Sequence, residues 1–149
     1  MTQASDYLQS LGKRVLEHYT RLPGVACAAI IGSAAEGLSD TRSDLDLAVY
    51  YDTMPPEADL SAIALRLGGG ALLWKMGTYA DGEFAESFRM DGVECQVFHT
   101  LVTQWERSME QVLQGHEPGS PLHKAMSGLL VAVGVMGAGR LEQWKSRAA

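Results

Sequence analysis

Residues 25–51 read VACAAIIGSAAEGLSDTRSDLDLAVYY, and the order of their parts decides the fold. An almost wholly apolar run, Val25 to Ile31, gives way to Gly32-Ser33. A polar linker containing Gly37 follows, and Ser43-Asp44-Leu45-Asp46-Leu47 then opens a second apolar run that ends at Tyr51. Short apolar runs bounded by turn-forming residues are the pattern of strands buried on both faces. A strand sends residues i and i+2 to one side, so Asp44 and Asp46 leave the same face, roughly 6–7 Å apart at Cβ. Two carboxylates so placed suit a hard divalent cation such as Mg2+, which takes oxygen ligands and shares them with substrate phosphates. Gly32-Ser33 predicts a tight turn leading into one helical turn over 33–37, whose backbone N–H groups and hydroxyl suit an anion. An anion cradle beside paired carboxylates points to chemistry on a nucleoside triphosphate.

Upstream, Leu8, Leu11, Val15, Leu16 and Tyr19 recur at three-to-four spacing. They predict an amphipathic helix that Ser5 or Asp6 caps and Pro23-Gly24 ends. Downstream, Pro55-Pro56 is a rigid break before a helix over 58–67 with Leu60, Ile63, Ala64 and Leu67 inward. Gly68-Gly69-Gly70 forms a joint, and 71–79 reads equally as strand or loop. Phe84 to Met90 and Val93 to His99 flank Asp91-Gly92, the strongest hairpin signal in the chain. Glu83 and Glu86, on either side of Phe84, read as surface charges, and His99 as a structural histidine. Thr103 with Glu106 resembles a capping box that starts a helix through Leu113. Residues 115–121 read as a loop. Leu122 to Met136 reads as a final helix, interrupted by Gly137 and Gly139 before a short tail containing Trp144. The sum is an α/β (α+β) protein with a small mixed β-sheet, flanking helices and a C-terminal helix or two. At 149 residues it reads as one domain, 1–149, with its core over about 4–115 and a C-terminal helical segment over about 122–147.

Composition narrows the classes. With 46% hydrophobic and 20% charged residues the chain is an ordinary globular sequence. A formal net charge of −6 argues against a general nucleic-acid binder, which needs a basic footprint. No run reaches the ~18 apolar residues of a membrane span, and the N-terminus lacks a signal-peptide pattern. Cys27 and Cys95 sit inside predicted strands as small core hydrophobes, in keeping with a reducing, cytoplasmic setting.

Over Val25 to Tyr50 the chain resembles the DNA polymerase beta-like nucleotidyltransferase superfamily, in its small, minimal bacterial form. The resemblance rests on Gly32, Ser33, Gly37, Ser43, Asp44, Asp46 and Leu47, at the family's spacing and between two apolar runs. It implies Mg2+-dependent (or Mn2+-dependent) transfer of a nucleoside monophosphate, with ATP as donor, on a small αβ sheet. In that reading Asp44 and Asp46 are catalytic metal ligands, and Gly32, Ser33, Ser43 and Arg42 bind the nucleotide. Two positions depart from the pattern. Glu36 stands where small relatives often carry Arg, which adds negative charge near the triphosphate. Aligned by the Asp91-Gly92 turn, Gln96 occupies the place of the family's third carboxylate, and Glu94 lies two residues earlier on the same face. Glu94 is therefore the candidate third ligand or base, with Gln96 as a polar support behind it.

The acceptor stays open between a small-molecule hydroxyl, a protein side chain and, disfavoured by charge, a nucleic-acid end. Tyr50, Tyr51 and Trp74 are candidates to stack on a base, with core packing the commoner role. The alternative of a different class is a degenerate, non-catalytic module that binds nucleotide or a partner protein. The apolar surplus at Leu129, Leu130, Val131, Val133 and Val135 points to a homodimer or partner surface on the last helix.

Overall fold

The computed structural model describes residues 1–115 and 128–148. Its order is α1 (Gln3–Thr20), β1 (Val25–Ile31), α2 (Gly32–Glu36), β2 (Leu45–Tyr51), α3 (Glu57–Leu67), β3 (Trp74–Thr78), β4 (Glu83–Met90), β5 (Val93–Leu101), α4 (Val102–Leu113), β6 (Val133–Met136) and α5 (Ala138–Ala148). The six strands form one mixed sheet in the order β3-β4-β5-β2-β1-β6. Only the central β2–β5 pair is parallel; the other four pairings are antiparallel.

Period-two alternation divides the sheet into two apolar faces. Leu45, Leu47, Val49 and Tyr51 of β2 join Ile30, Phe88 and Val97 beneath the α1 stripe of Leu8, Leu11, Val15, Leu16 and Tyr19. Leu60, Ile63 and Ala64 of α3 complete that layer. The other residues of the same strands, Cys27, Ala29, Ala48 and Tyr50, pack against Trp105 and Met109 of α4 and Leu141 and Trp144 of α5. Strands buried on both sides are the reason β1 and the apolar part of β2 are nearly continuous apolar runs.

Several expectations are corrected by packing. Helix α1 is capped by Thr2, whose Oγ1 accepts the Ser5 N–H at 3.0 Å. Ser5 is instead buried and accepts the Ser39 N–H at 2.8 Å, which ties the 38–40 segment to the helix. Helix α4 begins at Val102 without a side-chain cap, and Glu106 accepts the Trp144 indole N–H at 3.0 Å. The ambiguous stretch 71–79 contains β3, an edge strand paired to β4. The proposed last helix, 122–136, is not continuous: 128–131 is helical, but Val133–Met136 is a strand on the edge of β1. Gly134 weakens the helix there, and pairing satisfies the open side of β1, so tertiary demand outweighs local periodicity. The apolar surplus at Val133 and Val135 is thereby used in the sheet, and the expected tail is an eleven-residue helix, α5. The part of the proposed helix at 122–127, the predicted loop at 116–121, His116 and His123 lie outside the described residues.

Glu86 is the largest departure. Read as a surface charge, it is 2% exposed, because Phe84, Glu86 and Phe88 alternate onto the α1 face. Its Oε1 lies 2.9 Å from His99 Nε2 and 3.4 Å from the Tyr19 hydroxyl, and His99 Nδ1 lies 2.7 Å from the Tyr51 hydroxyl. One proton arrangement satisfies the four groups: Tyr51 donates to Nδ1, and Nε2–H and Tyr19 donate to the carboxylate. Burial first, then the Glu86 charge, holds both tyrosine hydroxyls well above their ordinary pKa. A buried carboxyl persists in the core because it is hydrogen-bonded. The network also fixes Tyr51 against the core, so Tyr51 does not face the polar side of the sheet.

Candidate active site

The site is written by the register of β2 on β5. Leu45 pairs with Cys95 and Asp46 with Gln96, which aligns Asp44 with Glu94 one step earlier. Leu45 and Cys95 turn into the α1 face, so the four polar residues leave the opposite one. Across the hairpin, Glu94 pairs with Arg89 and Gln96 with Ser87. This follows from the two-residue Asp91-Gly92 turn, with φ of 52° and 77°, which joins Met90 directly to Val93.

One amide ties the acids together. Gln96 Nε2 lies 3.2 Å from Asp44 Oδ2 and 3.0 Å from Glu94 Oε2. The same Glu94 oxygen accepts the Trp74 indole N–H and the Ser87 hydroxyl, each at 3.0 Å. The Trp74 bond is the main cause that holds the Glu94 carboxyl below its ordinary pKa; Gln96, Ser87 and the Arg89 charge help, and burial opposes them. Asp44 moves the other way. Burial raises its carboxyl most, the Glu94 charge adds to the rise, and Arg89 counters it.

Gly32 meets the second aspartate. Its φ is +70°, and a Cβ built there would lie 2.6 Å from Asp46 Oδ2. The start of α2 and the Asp46 carboxylate, fourteen positions apart in sequence, are therefore packed backbone against side chain; the Ile31–Asp46 pairing of β1 and β2 sets this approach. Ser33 Oγ lies 3.0 Å from Ser39 Oγ. Ser43 Oγ accepts the Asp40 N–H at 2.9 Å, while Asp40 Oδ1 accepts the Arg42 N–H at 2.8 Å, which closes the turn before β2. The Arg42 side chain lines a hollow of about 280 Å3 together with Arg89, Asp44 and Glu94.

The donor set suits a hard cation: Asp44 and Asp46 offer carboxylate oxygens from one face, with Glu94 alongside. Among the described residues, Asp44, Asp46 and Glu94 do not close into a ready-made three-acid cage. One oxygen of Glu94 accepts from Trp74, Ser87 and Gln96.

On the other side of the Asp46–Gln96 rung a cleft of about 580 Å3 runs along the sheet. Its floor continues through the Ala48–Phe98 and Tyr50–Thr100 rungs, with Glu36, Glu83, Trp105 and Leu129 among its walls. Tyr50 reaches it as a lining residue, whereas Trp74 is engaged by Glu94.

Sequence reasoning missed Arg89, Ser87, Phe98 and Trp105. The first two were legible from the hairpin register, once Glu94 and Gln96 were singled out. No signal marks Trp74 as the donor to Glu94, since β3 is a short edge strand of mixed polarity. No protein-family model and no curated protein matches this chain. Among the described residues, no helix is long and apolar enough to cross a membrane.

Proposed function

We propose that the chain binds a nucleoside triphosphate on the Asp44–Asp46 face and transfers its nucleoside monophosphate to an acceptor. The observation that carries this reading is the packing of Gly32 against Asp46. It joins the turn suited to phosphate with the carboxylates suited to a cation, the two features that the sequence sets at the ends of one short segment. The donor is ATP by resemblance to the nucleotidyltransferase superfamily, and the acceptor is a small-molecule hydroxyl or a protein side chain.

In this scheme Asp44 and Asp46 hold Mg2+ or Mn2+, and the backbone at Gly32 and Ser33 faces the phosphates. Bound there, the cation neutralises phosphate charge and makes the attacking hydroxyl more acidic. Arg42 and Ser43 border the same rung. The acceptor oxygen forms a bond to the α-phosphorus, the bond from that phosphorus to the bridging oxygen of the β-phosphate breaks, and pyrophosphate leaves. The acceptor's proton passes to Glu94, which its three donors keep ionised at neutral pH, or to water. Gln96 holds Glu94 and Asp44 in register. Placement of reactants and fixed dipoles supplies most of the acceleration in such a site.

A second reading is favoured by Gln96 itself. Opposite Asp46 stands an amide, and the nearest further acid has one oxygen already committed to three donors. Such a site binds nucleotide without turning it over and acts on a partner. Incubation with ATP labelled in its α-phosphate separates the two. Label on an acceptor, lost in Asp44→Asn, supports transfer; Mg2+-dependent binding with no label on any tested amine, alcohol or protein supports binding alone.

A further inference from the structure

We propose that the cleft beside the carboxylate rung binds an organic cation with an apolar body: an amine or quaternary ammonium on an aromatic or aliphatic frame. As the acceptor in the transfer proposed above, a role that rests on that reading, such a molecule also carries a hydroxyl, whose oxygen it brings to the Asp46 end. Three features of the cleft lead here. Its floor spans the four-residue step from Asp46 to Tyr50, about 13 Å of strand, and its 580 Å3 is the size of a small-molecule site.

Its surface is aromatic and apolar. Phe98, 38% exposed, lines it together with the largely buried Tyr50 and Trp105, and an aromatic lining suits a cation. Trp105 is 8% exposed, and its Nε1 is the single buried side-chain nitrogen or oxygen without a hydrogen-bond partner among the described residues.

Its described lining carries charge of one sign. Glu36, Asp46 and Glu83 line it, and no Lys or Arg stands among its described lining residues. Glu83 is touched by the neutral Gln104 amide at 3.4 Å, and neither Glu36 nor Glu83 is in an ion pair with a described residue. Both guanidiniums near the rung, Arg42 and Arg89, lie in the separate hollow on its far side. Beyond its Gly32–Asp46 end, the described floor and walls offer an anionic ligand no Lys or Arg, whereas an amphipathic cation matches their apolar surface and their acids.

The test is calorimetric titration of the nucleotide-free, full-length protein with phenylbutylamine, phenylbutanol and phenylbutyrate, three probes that differ in charge on one frame. The amine should bind about five- to tenfold tighter than the alcohol, and the carboxylate most weakly. In the double variant Glu36→Gln with Glu83→Gln the amine's advantage should fall to about twofold or less, with alcohol binding unchanged. Phe98→Ala should weaken amine and alcohol alike. An amine no tighter than the alcohol, or an advantage that survives the double variant, overturns the proposal. A parallel titration with a non-hydrolysable ATP analogue separates the two ideas. Nucleotide binding without amine selectivity overturns the cleft's ligand alone. Amine selectivity without nucleotide binding upholds the ligand class and removes its role as acceptor.

Discussion

Replacing Gly32 by alanine tests the contact on which the site depends. Two costs are separable. The backbone at Gly32 sits at φ +70°, in the left-handed region that an L side chain enters at about 1–2 kcal/mol. The new methyl would also lie 2.6 Å from Asp46 Oδ2 and 3.4 Å from Asp46 Cβ and Cγ. The first distance is far inside ordinary contact, so the carboxylate must rotate, at a cost of about 0.5–1.5 kcal/mol for a strained rotamer. Gly32→Ala should therefore destabilise by about 2–3 kcal/mol. In an Asp46→Ala background the carboxylate is gone and only the backbone cost remains, so the two substitutions should couple by about 1 kcal/mol. Urea unfolding of the four proteins, with m checked for constancy, measures both values. Equal costs of Gly32→Ala in the two backgrounds, or a cost under about 0.5 kcal/mol, would refute the packing of the Gly32-Ser33 turn on the second aspartate.

Three other outcomes follow from named contacts. His99→Phe removes the 2.9 Å partner of buried Glu86 and leaves Tyr19 at 3.4 Å. It should cost about 1–3 kcal/mol, more than Glu86→Gln, which keeps an acceptor oxygen, and denaturation of the double variant should show less than the sum. Trp74→Phe removes the largest cause of the lowered Glu94 pKa. Stability that Glu94 supplies is present above the ordinary glutamate value, about 4.3, and is lost as pH falls through its lower folded value. The stability gap between wild type and Trp74→Phe should therefore narrow on acidification from about pH 6 to about pH 3, and a carboxyl NMR titration should find Glu94 raised. Gln96→Glu places an acid opposite Asp46 and should tighten Mn2+ binding several-fold in a paramagnetic relaxation titration; unchanged or weaker binding would mean that the rung does not receive the cation.

Much of this fold is legible in the residues because local and global preferences agree. The runs Val25–Ile31 and Leu45–Tyr51 are apolar on both faces since helices cover both faces. The Asp91-Gly92 turn sets the hairpin and, through it, the pairing of Arg89 with Glu94. Where the reading of the sequence departs from the structure, partners distant in the chain decide. Val133–Met136 is apolar enough for a helix, and only the open edge of β1 makes it a strand. Glu86 looks like a surface charge until Tyr19, from a helix far away in sequence, and His99 are placed around it. The strand alternation Phe84-Glu86-Phe88 carried that information, but composition around Glu83 and Glu86 obscured it. Asp44 and Asp46 were legible as a pair from period two alone. The apposition of Gly32 and the ligation of Glu94 by Trp74 required the β1–β2 and β3–β4 registers.

The most direct test is calorimetric titration of a non-hydrolysable ATP analogue into the wild-type protein and Asp46→Asn, with and without Mg2+. Binding that needs Mg2+ and disappears in Asp46→Asn is the result the account predicts. An absence of binding to the wild type, or binding indifferent to both Mg2+ and Asp46, would contradict a nucleotide site built on this rung.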